Sequence, residues 1–440
     1  MAEEASPETR PTANQDARYA RMSRNVPTMA VTAAVIVGAT MLWSPIFSLI
    51  LRDLGASDLR ISIAISIWAA VGAVAQYGAG RLADRVGRFP IMVYSMHVGG
   101  LALVAAAFIP TWLPFAVIYT LWALANAVTG PVFSLIVGES VPPKRRGRAF
   151  GLIDFAIGVS LILGPLAGAR LLPRVGAKGL LIISGILVFA AAMGRLLSLR
   201  ETRPESTGSK PFALRHVFEG RMGLVLLAVG FWNVVLAMTM WGPFLSLHAS
   251  DAMGLSKATI NVFFAVASVV SALMGLVAGR LVSRFGANSM FSIGGIGLAA
   301  AVMLWSAQRS MVGVVAGFAL MSGFMMLAMV SADTFRVSVV EESVRGSALG
   351  AIGMVTGFAT ALSTPVAGYL KQFSPRAPFW IALAAAAGLV LSVVALTRHD
   401  TRTGFRGEPA HEEGAHPQAM TLSATWPSSR GRRPTGRSAH

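Results

Sequence analysis

Long apolar stretches alternate with short polar turns along most of this chain. Windows of about 20 apolar residues, the length that crosses the hydrocarbon core of a bilayer as a helix, occur twelve times. Backbone polar groups in lipid must bond within their own segment, so the pattern predicts twelve transmembrane helices and an all-α integral membrane fold. The predicted segments are 28–51, 61–79, 90–109, 113–137, 148–172, 179–197, 224–249, 260–279, 289–307, 311–339, 347–370 and 378–396.

A short basic turn occurs once in each half of the chain. Residues 80–89 read GRLADRVGRF, and residues 279–288 read GRLVSRFGAN, about 200 positions later. Other matches keep nearly the same spacing, among them Pro45 with Pro243 and Pro165 with Pro365. A repeat of this length predicts two copies of one six-helix unit.

Polar stretches mark the remaining boundaries. We expect an N-terminal tail (1–27), a first bundle (28–197), a linker (198–222), a second bundle (223–397) and a disordered basic C-terminal tail (398–440). With both tails inside, all but nine of the 37 basic residues lie on the cytoplasmic side, although three of the nine, Arg170, Arg174 and Lys178, cluster in one loop. The positive-inside rule therefore predicts a multi-pass protein of the cell membrane with both termini in the cytoplasm.

Composition narrows the possible functions further. Apolar residues make up 54% of the chain and charged residues 13%, and the mean hydropathy is +0.64. The net charge of +17 lies mostly in short loops and the C-terminal tail, where topology explains it, so we expect no nucleic-acid partner. Cysteine is absent, and no Gly-x-x-x-x-Gly-Lys-Ser/Thr phosphate loop occurs. We expect no enzyme activity, no cofactor, no metal and no subunit partner.

The first copy of the turn resembles the loop signature of the major facilitator superfamily. In that family a network of charges at this loop latches one conformational state, and Glu139 is the expected carboxylate for the arginines. The second copy has Arg284 but carries Ser283 where the first has its acid, so its latch should be weaker. The alternative is that these charges only enforce topology. The matching residues are Gly80, Leu82, Ala83, Asp84, Arg85, Gly87 and Arg88.

The fifth segment carries Gly164, Pro165 and Gly168, with Ser160 before them and Ala169 after them. This pattern resembles the signature of the drug/proton antiporters of that family, which has glycine in place of Ser160 and Ala169. Small residues permit close helix approach, here expected against the opposite half, and proline bends a helix. Ordinary helix packing is the alternative. The fourth segment lacks the arginine that proton-coupled relatives carry, so that role cannot be transferred.

Few charged residues lie within the predicted helices. Ionised groups are costly there, so those retained are candidate pathway groups. Asp154 in the fifth segment is the first candidate for carrying a proton, and pairing with the nearby basic run is the alternative. Asp333 and Arg336 lie one turn apart on the tenth segment. We expect them to form a gate, a substrate anchor or a structural ion pair.

Aromatic, amide and methionine side chains suggest a large apolar substrate cavity. Single residues of these types also serve as interfacial anchors or as packing, which is the alternative for each. The candidates are Trp43 on the first segment, Tyr119, Trp122 and Asn126 on the fourth, Trp232, Asn233 and Trp241 on the seventh, Met326 and Met329 on the tenth, and Thr360 on the eleventh.

Together these features predict a monomeric secondary transporter whose two halves rock about a central site. The resemblance implies proton-coupled efflux of a hydrophobic or amphipathic small molecule. Two alternatives stay open: an uptake symporter or facilitator for a small metabolite or organic anion, and a transport-inactive membrane sensor.

Overall fold

The computed structural model describes residues 22, 24–142, 145–202, 218, 220–339 and 345–403, except the side chains of residues 77, 80, 81, 84, 336–339 and 345–350. Most of the predicted tails and linker lies outside these residues. The described chain is helical throughout and contains no strand. Its helices are α1 (Asn25–Met41), α2 (Phe47–Asp53), α3 (Asp58–Val86), α4 (Arg88–Ala106), α5 (Trp112–Ser140), α6 (Arg146–Ser198), α7 (Gly220–Met238), α8 (Phe244–Asp251), α9 (Lys257–Phe285), α10 (Ala287–Ser306), α11 (Met311–Val339), α12 (Arg345–Leu370) and α13 (Ala377–Thr403).

Eleven helical stretches of the described chain are long and apolar enough to cross a membrane. One of them, α6, has 53 residues and turns at Gly176, where φ is 66° and ψ is 179°. A straight helix of that length would extend about 80 Å, far beyond a bilayer. The two arms of α6, residues 146–175 and 177–198, therefore supply two crossings and bring the total to the predicted twelve.

The first crossing of each half is broken at the same place. The helix stops at Met41 and resumes as a short 3-10 turn (Ser44–Ile46) before α2. In the second half α7 stops at Met238 and α8 starts at Phe244. Pro45 and Pro243 lie at the two breaks, and proline removes an N–H that a continuous helix would use.

The helices form two bundles, α1–α6 and α7–α13. They meet along two seams, where α3 faces α12 and the first arm of α6 faces α9. Small residues allow the close approach, since a Cβ on Gly357 of α12 would lie 2.7 Å from the Cβ of Ala73 of α3. This is the predicted architecture of two six-helix repeats.

The helix ends form two faces of the molecule, a proximal face and a distal face. The proximal face carries the start of α1 and the turns at residues 87 and 286. The distal face carries the turns at residues 54–57, 107–111, 252–256, 307–310 and 371–376 and the turn at Gly176. The sequence predicts the distal face to be extracellular.

The small residues of α6 pack differently from our expectation. A Cβ on Gly164 would lie 2.6 Å from the Met41 Cβ and 2.7 Å from the Gly38 carbonyl oxygen, both in α1 of the same bundle. A Cβ on Gly168 would overlap the Leu42 carbonyl and lie 2.8 Å from Nδ2 of Asn261 in α9. The prediction that this stripe packs on the opposite half was wrong for Gly164, because periodicity defines a face of a helix and not the neighbour that covers it. Pro165 is buried between these glycines.

We predict that Gly168→Ala lowers thermal stability, because the added methyl group meets backbone atoms that cannot turn away. Overpacking of this kind costs about 1–3 kcal/mol. The matched control is Gly151→Ala in the same helix arm, where a Cβ meets nothing within 4 Å. Size-exclusion chromatography of heated, detergent-solubilised protein measures both. Equal midpoints for the two variants would contradict the packing described here.

Candidate functional site

A cavity of about 250 Å³ lies between the bundles, towards the distal face. Trp68 is ten residues into α3, which places it about 15 Å from the distal end of that helix. No lining residue is charged. The lining residues are Ile65, Trp68 and Ala69 of α3, Asn233, Leu236 and Ala237 of α7, Trp241 and Gly242 of the break, and Thr360 and Thr364 of α12.

The cavity has few polar groups, and some of them already form hydrogen bonds within their own helices. The Asn233 amide donates to the Val229 carbonyl at 2.9 Å, and the Thr364 hydroxyl donates to the Thr360 carbonyl at 2.7 Å. The Asn233 amide oxygen has no hydrogen bond with the described residues, and Asn233 lines a cavity with apolar and aromatic walls. Such a site holds a ligand by buried area and orients it with one or two hydrogen bonds.

An aromatic cluster in the first bundle supports the Trp68 wall. The Trp68 ring lies 4.4 Å from that of Tyr119, and Phe47 stacks on Tyr119 at 4.5 Å between ring centroids. Hydrogen bonds at 3.0 Å hold the Trp68 indole to the Thr120 hydroxyl and the Trp43 indole to Ser184. The wall is therefore fixed by packing and by hydrogen bonds at its back.

The structure places three predicted cavity residues, Asn233, Trp241 and Thr360, in this cavity. Trp43 and Tyr119 lie one layer behind it. Sequence reasoning missed Trp68, since a single tryptophan in an apolar segment gives no signal of which neighbour it faces. A weak signal existed in the break itself, because interrupted helices at matching positions of two repeats often mark a transporter site.

Other predicted cavity residues lie elsewhere. Trp122 is 2% exposed and packs on Gly99 of α4, and Trp232 is 1% exposed with its ring 5.8 Å from that of Phe291. The prediction that these two tryptophans line the cavity was wrong, because both fill bundle interiors. Met326 packs on Gly275 of α9, and Met329 is half-buried.

On α5, Asn126 is exposed one turn from Gly130. A Cβ on Gly130 would meet nothing within 4 Å, so the space around this part of α5 is open.

The charged candidates do not converge on the cavity. Asp154 is exposed, eight residues into α6, and makes no hydrogen bond or ion pair with the described residues. The expected alternative, pairing with the basic run, is not seen for the described arginines, and Arg146 instead donates to the Gly138 carbonyl at 2.9 Å. Asp333 is exposed on α11. The Arg336 side chain lies outside the described residues, so their pairing stays a prediction.

At the proximal face Arg88 and Glu139 form an ion pair within the first bundle. Glu201, which sequence reasoning missed, accepts hydrogen bonds from the backbone N–H groups of Arg88 at 3.2 Å and Phe89 at 3.1 Å. A carboxylate at the first turn of α4 stabilises the exposed N–H groups there. Gly87 precedes that turn with φ of 96°, a conformation that suits glycine.

The rest of the predicted latch is less defined. Arg85 is exposed, and Arg284 of the second copy is exposed over the Phe285 ring at 5.2 Å. Gly80 lies within α3. The Asp84 side chain lies outside the described residues, so its part in the latch stays a prediction.

Charged side chains join the bundles at the distal face. Arg52 of the first bundle bonds Asp58 at 2.6 Å and Asp251 of the second bundle at 2.5 Å. Lys371 of the second bundle pairs with Asp58 and lies 2.9 Å from Asp251. We call these four residues the distal ring. Lys257 also pairs with Asp53 across the same boundary.

Two hydrogen bonds reinforce this closure from inside the membrane. The Ser246 hydroxyl donates to the Pro45 carbonyl at 2.5 Å, and the Asn261 amide donates to the Leu42 carbonyl at 3.1 Å. Both carbonyls belong to the break in the first crossing. The bundles are therefore closed on each other at the distal face, while glycines on α5 and α12 nearer the proximal face, Gly130 and Gly353, meet open space.

Ionisation favours the distal ring at neutral pH. Partial burial opposes the charge on Asp251, but the hydrogen bonds from Arg52 and Lys371 outweigh it and hold the pKa of this carboxyl below its usual value. A depressed pKa means that the ion pairs stabilise the closed face fully above the ordinary carboxyl pKa, and that this stabilisation is lost as the pH falls through the lowered pKa.

Two bundles of six crossings, a broken first helix in each and a site between them define a membrane transport protein of the two-repeat type. The chain belongs to the Major Facilitator Superfamily, whose family model matches residues 29–249 and 227–434.

Relatives include the multidrug resistance protein MdtM of Escherichia coli O157:H7, 26% identical over 248 residues, which are 54% of this chain and 58% of that protein. MdtL of Klebsiella pneumoniae, also named a multidrug resistance protein, is 26% identical over 285 residues, covering 62% of this chain and 71% of MdtL. The uncharacterized protein Rv2265 of Mycobacterium tuberculosis is 28% identical over 272 residues, which are 58% of this chain and 64% of Rv2265.

Solved structures show the same fold. The human organic anion transporter MFSD10 superposes with a TM-score of 0.63 at 15% identity, and the nucleoside transporter NupG with a TM-score of 0.68 at 16% identity. Each alignment covers 85% of this chain and 99% of the other. At such identities the likeness concerns the fold alone.

We predict that Lys371→Ala opens the distal face, because it leaves Arg52 as the single cation between the two carboxylates of the distal ring. Removing one member of an ion pair costs between about 1 kcal/mol at an exposed site and about 3 kcal/mol at a buried one, and Lys371 is buried. Spin labels at Thr111→Cys and Arg309→Cys, on distal turns of opposite bundles, report the separation in a chain that has no native cysteine.

Lys257→Ala is the graded control for this experiment. It also breaks an inter-bundle pair, but both partners are more exposed, so its effect should be small. Distance distributions that are the same for both variants and the unmodified chain would show that the distal ring does not hold the face closed.

Proposed function

We propose that this transporter exports hydrophobic or amphipathic small molecules in exchange for protons, and that the cavity around Trp68 and Trp241 binds them. The observation that carries the proposal is the uncharged, aromatic lining of a cavity whose walls come from both bundles. A ligand held there touches both moving parts, so its binding and release follow the relative motion of the bundles.

The chemistry of the lining favours lipophilic compounds. Trp68, Trp241 and Leu236 offer large apolar area, and aromatic faces also attract organic cations. No cationic side chain lines the cavity to neutralise a small organic anion. The names of MdtM and MdtL, both multidrug resistance proteins, support export, although the alignment with MdtM spans little more than half of that protein.

Asp154 is our candidate for proton coupling. It lies in a membrane-spanning helix without a hydrogen bond or ion pair to the described residues. Such a carboxylate is costly to keep charged when water leaves and easily charged when water returns. Alternating access changes the hydration of the Asp154 carboxylate in each cycle. The carboxylate would therefore take up a proton from one side and release it to the other.

Reconstituted flux tests the proposal directly. Purified protein in liposomes with an internal pH-sensitive dye is given lipophilic cations, neutral drugs and organic acids under an imposed pH gradient. Proton flux opposite in direction to a lipophilic compound is the expected result. Flux coupled only to small anions would replace export with uptake, and no flux with any compound would favour a sensor.

We predict that Asp154→Asn abolishes proton-coupled flux while the protein keeps its fold, because the amide cannot exchange a proton. Substrate exchange between equal concentrations on both sides, which needs no proton gradient, should persist. Asp400→Asn is the control, since this aspartate pairs with Arg221 on the proximal face of the second bundle, outside the cavity. Undiminished pH-driven transport by Asp154→Asn would remove this residue from the mechanism.

We also predict that Trp68→Leu raises the KM for lipophilic substrates about tenfold or more, through lost aromatic contact area. Trp380→Leu is the matched control, because this tryptophan is 57% exposed on α13 and lies away from the cavity. Tryptophan fluorescence quenching by the substrate gives a second readout. If both variants bind substrate as the unmodified chain does, the site lies elsewhere.

A further inference from the structure

An open groove of about 610 Å³ runs along the seam between the bundles at the distal face. One wall is the first arm of α6, with Leu166 and Ala169, and the other is the start of α9, with Ala258 and Val262. Leu166 and Val262 are 42% and 38% exposed at membrane depth. The groove therefore faces the surrounding lipid with apolar walls.

Two arginines lie at the distal end of this groove. Arg170 and Arg174 are one helical turn apart on α6, and both line the groove. Both are exposed, and neither makes a hydrogen bond or ion pair with the described residues. The third basic residue of this region, Lys178, has a partner within its bundle, since its ammonium lies 4.4 Å from the centre of the Phe108 ring.

The height of the arginines along α6 matches the headgroup layer. They precede the turn at Gly176 by six and two residues, which corresponds to about 9 Å and 3 Å along the helix. Long arginine side chains at this level place the guanidinium among headgroups while the stem stays apolar. The positive-inside rule places most basic residues on the cytoplasmic side, whereas these arginines lie at the distal, predicted extracellular, face. Topology therefore does not explain their presence.

We propose that this groove binds an anionic phospholipid from the leaflet at the distal face. The phosphate would lie between the guanidinium groups of Arg170 and Arg174, and an acyl chain would follow the apolar walls. Basic pockets between transmembrane helices recognise lipid phosphates in this manner, and a guanidinium fork suits phosphate geometry. An anionic lipid can contact both the cationic end of the groove and its apolar walls. A free phosphate can contact only the cationic end, so the groove favours a lipid.

The position of the groove gives the lipid a conformational effect. Its walls belong to different bundles, and in this structure the distal face is closed. Opening that face would move α6 away from α9 and split the groove. A lipid that binds only the intact groove therefore stabilises the closed distal face. This inference does not depend on which compound is transported.

Native mass spectrometry of the full chain tests the proposal. Detergent-solubilised protein is incubated with phosphatidylglycerol or with phosphatidylcholine. We expect preferential retention of phosphatidylglycerol and a roughly tenfold loss of it in the double variant Arg170→Gln, Arg174→Gln. Arg309→Gln is the matched control, because this exposed arginine lies on another distal turn, away from the groove.

A second variant keeps the test decisive if the double variant does not fold. Val262→Trp fills the groove from α9 and leaves both arginines in place, so it should also lower phosphatidylglycerol binding. Unchanged binding in either folded variant would overturn the proposal. Soluble glycerol phosphate, which has no acyl chains, should not displace the lipid. Displacement at equal concentration would show a small-anion site and would also overturn it.

Discussion

The breaks in the first crossing of each repeat free backbone carbonyls within the membrane, and the way these carbonyls are satisfied organises the rest of the structure. A carbonyl without a partner costs several kcal/mol in hydrocarbon. Leu42 and Pro45 of the first bundle accept hydrogen bonds from Asn261 and Ser246 of the second. These two bonds hold the bundles together at the distal face. When that face opens, both carbonyls lose these donors and need water in their place.

The same breaks make the two repeats unequal at the site. Trp43 and Trp241 occupy matching places before Pro45 and Pro243, yet Trp43 is 1% exposed and Trp241 is 63% exposed. Trp43 is held by Ser184 and its aromatic neighbours, whereas Trp241 lies at the cavity between the bundles. One copy of the motif therefore builds a rigid wall, and the other presents a side chain that is free to meet a ligand.

Charge is distributed differently at the two faces. At the distal face ion pairs cross between bundles, through the distal ring and the Lys257–Asp53 pair. At the proximal face Arg88 pairs with Glu139 and Arg221 pairs with Asp400, and each of these two pairs lies within one bundle. Ion pairs that cross a boundary stabilise its closed form, and pairs within a bundle shape that bundle. The structure thus represents a state closed at the distal face.

The sequence by itself determined the twelve crossings and the repeat, with Pro45 and Pro243 at matching positions, because hydropathy and spacing act along the chain. The breaks at these prolines appeared only in the structure. The sequence also placed Arg88 near a carboxylate and marked Asn233, Trp241 and Thr360. Only the tertiary structure decided which faces meet. It buried Trp122 and Trp232, brought Trp68 to the cavity, and joined Arg52 to Asp251 across 199 positions. Periodicity defines the face of a helix, but the neighbour that covers it depends on the crossing of helices far apart in sequence.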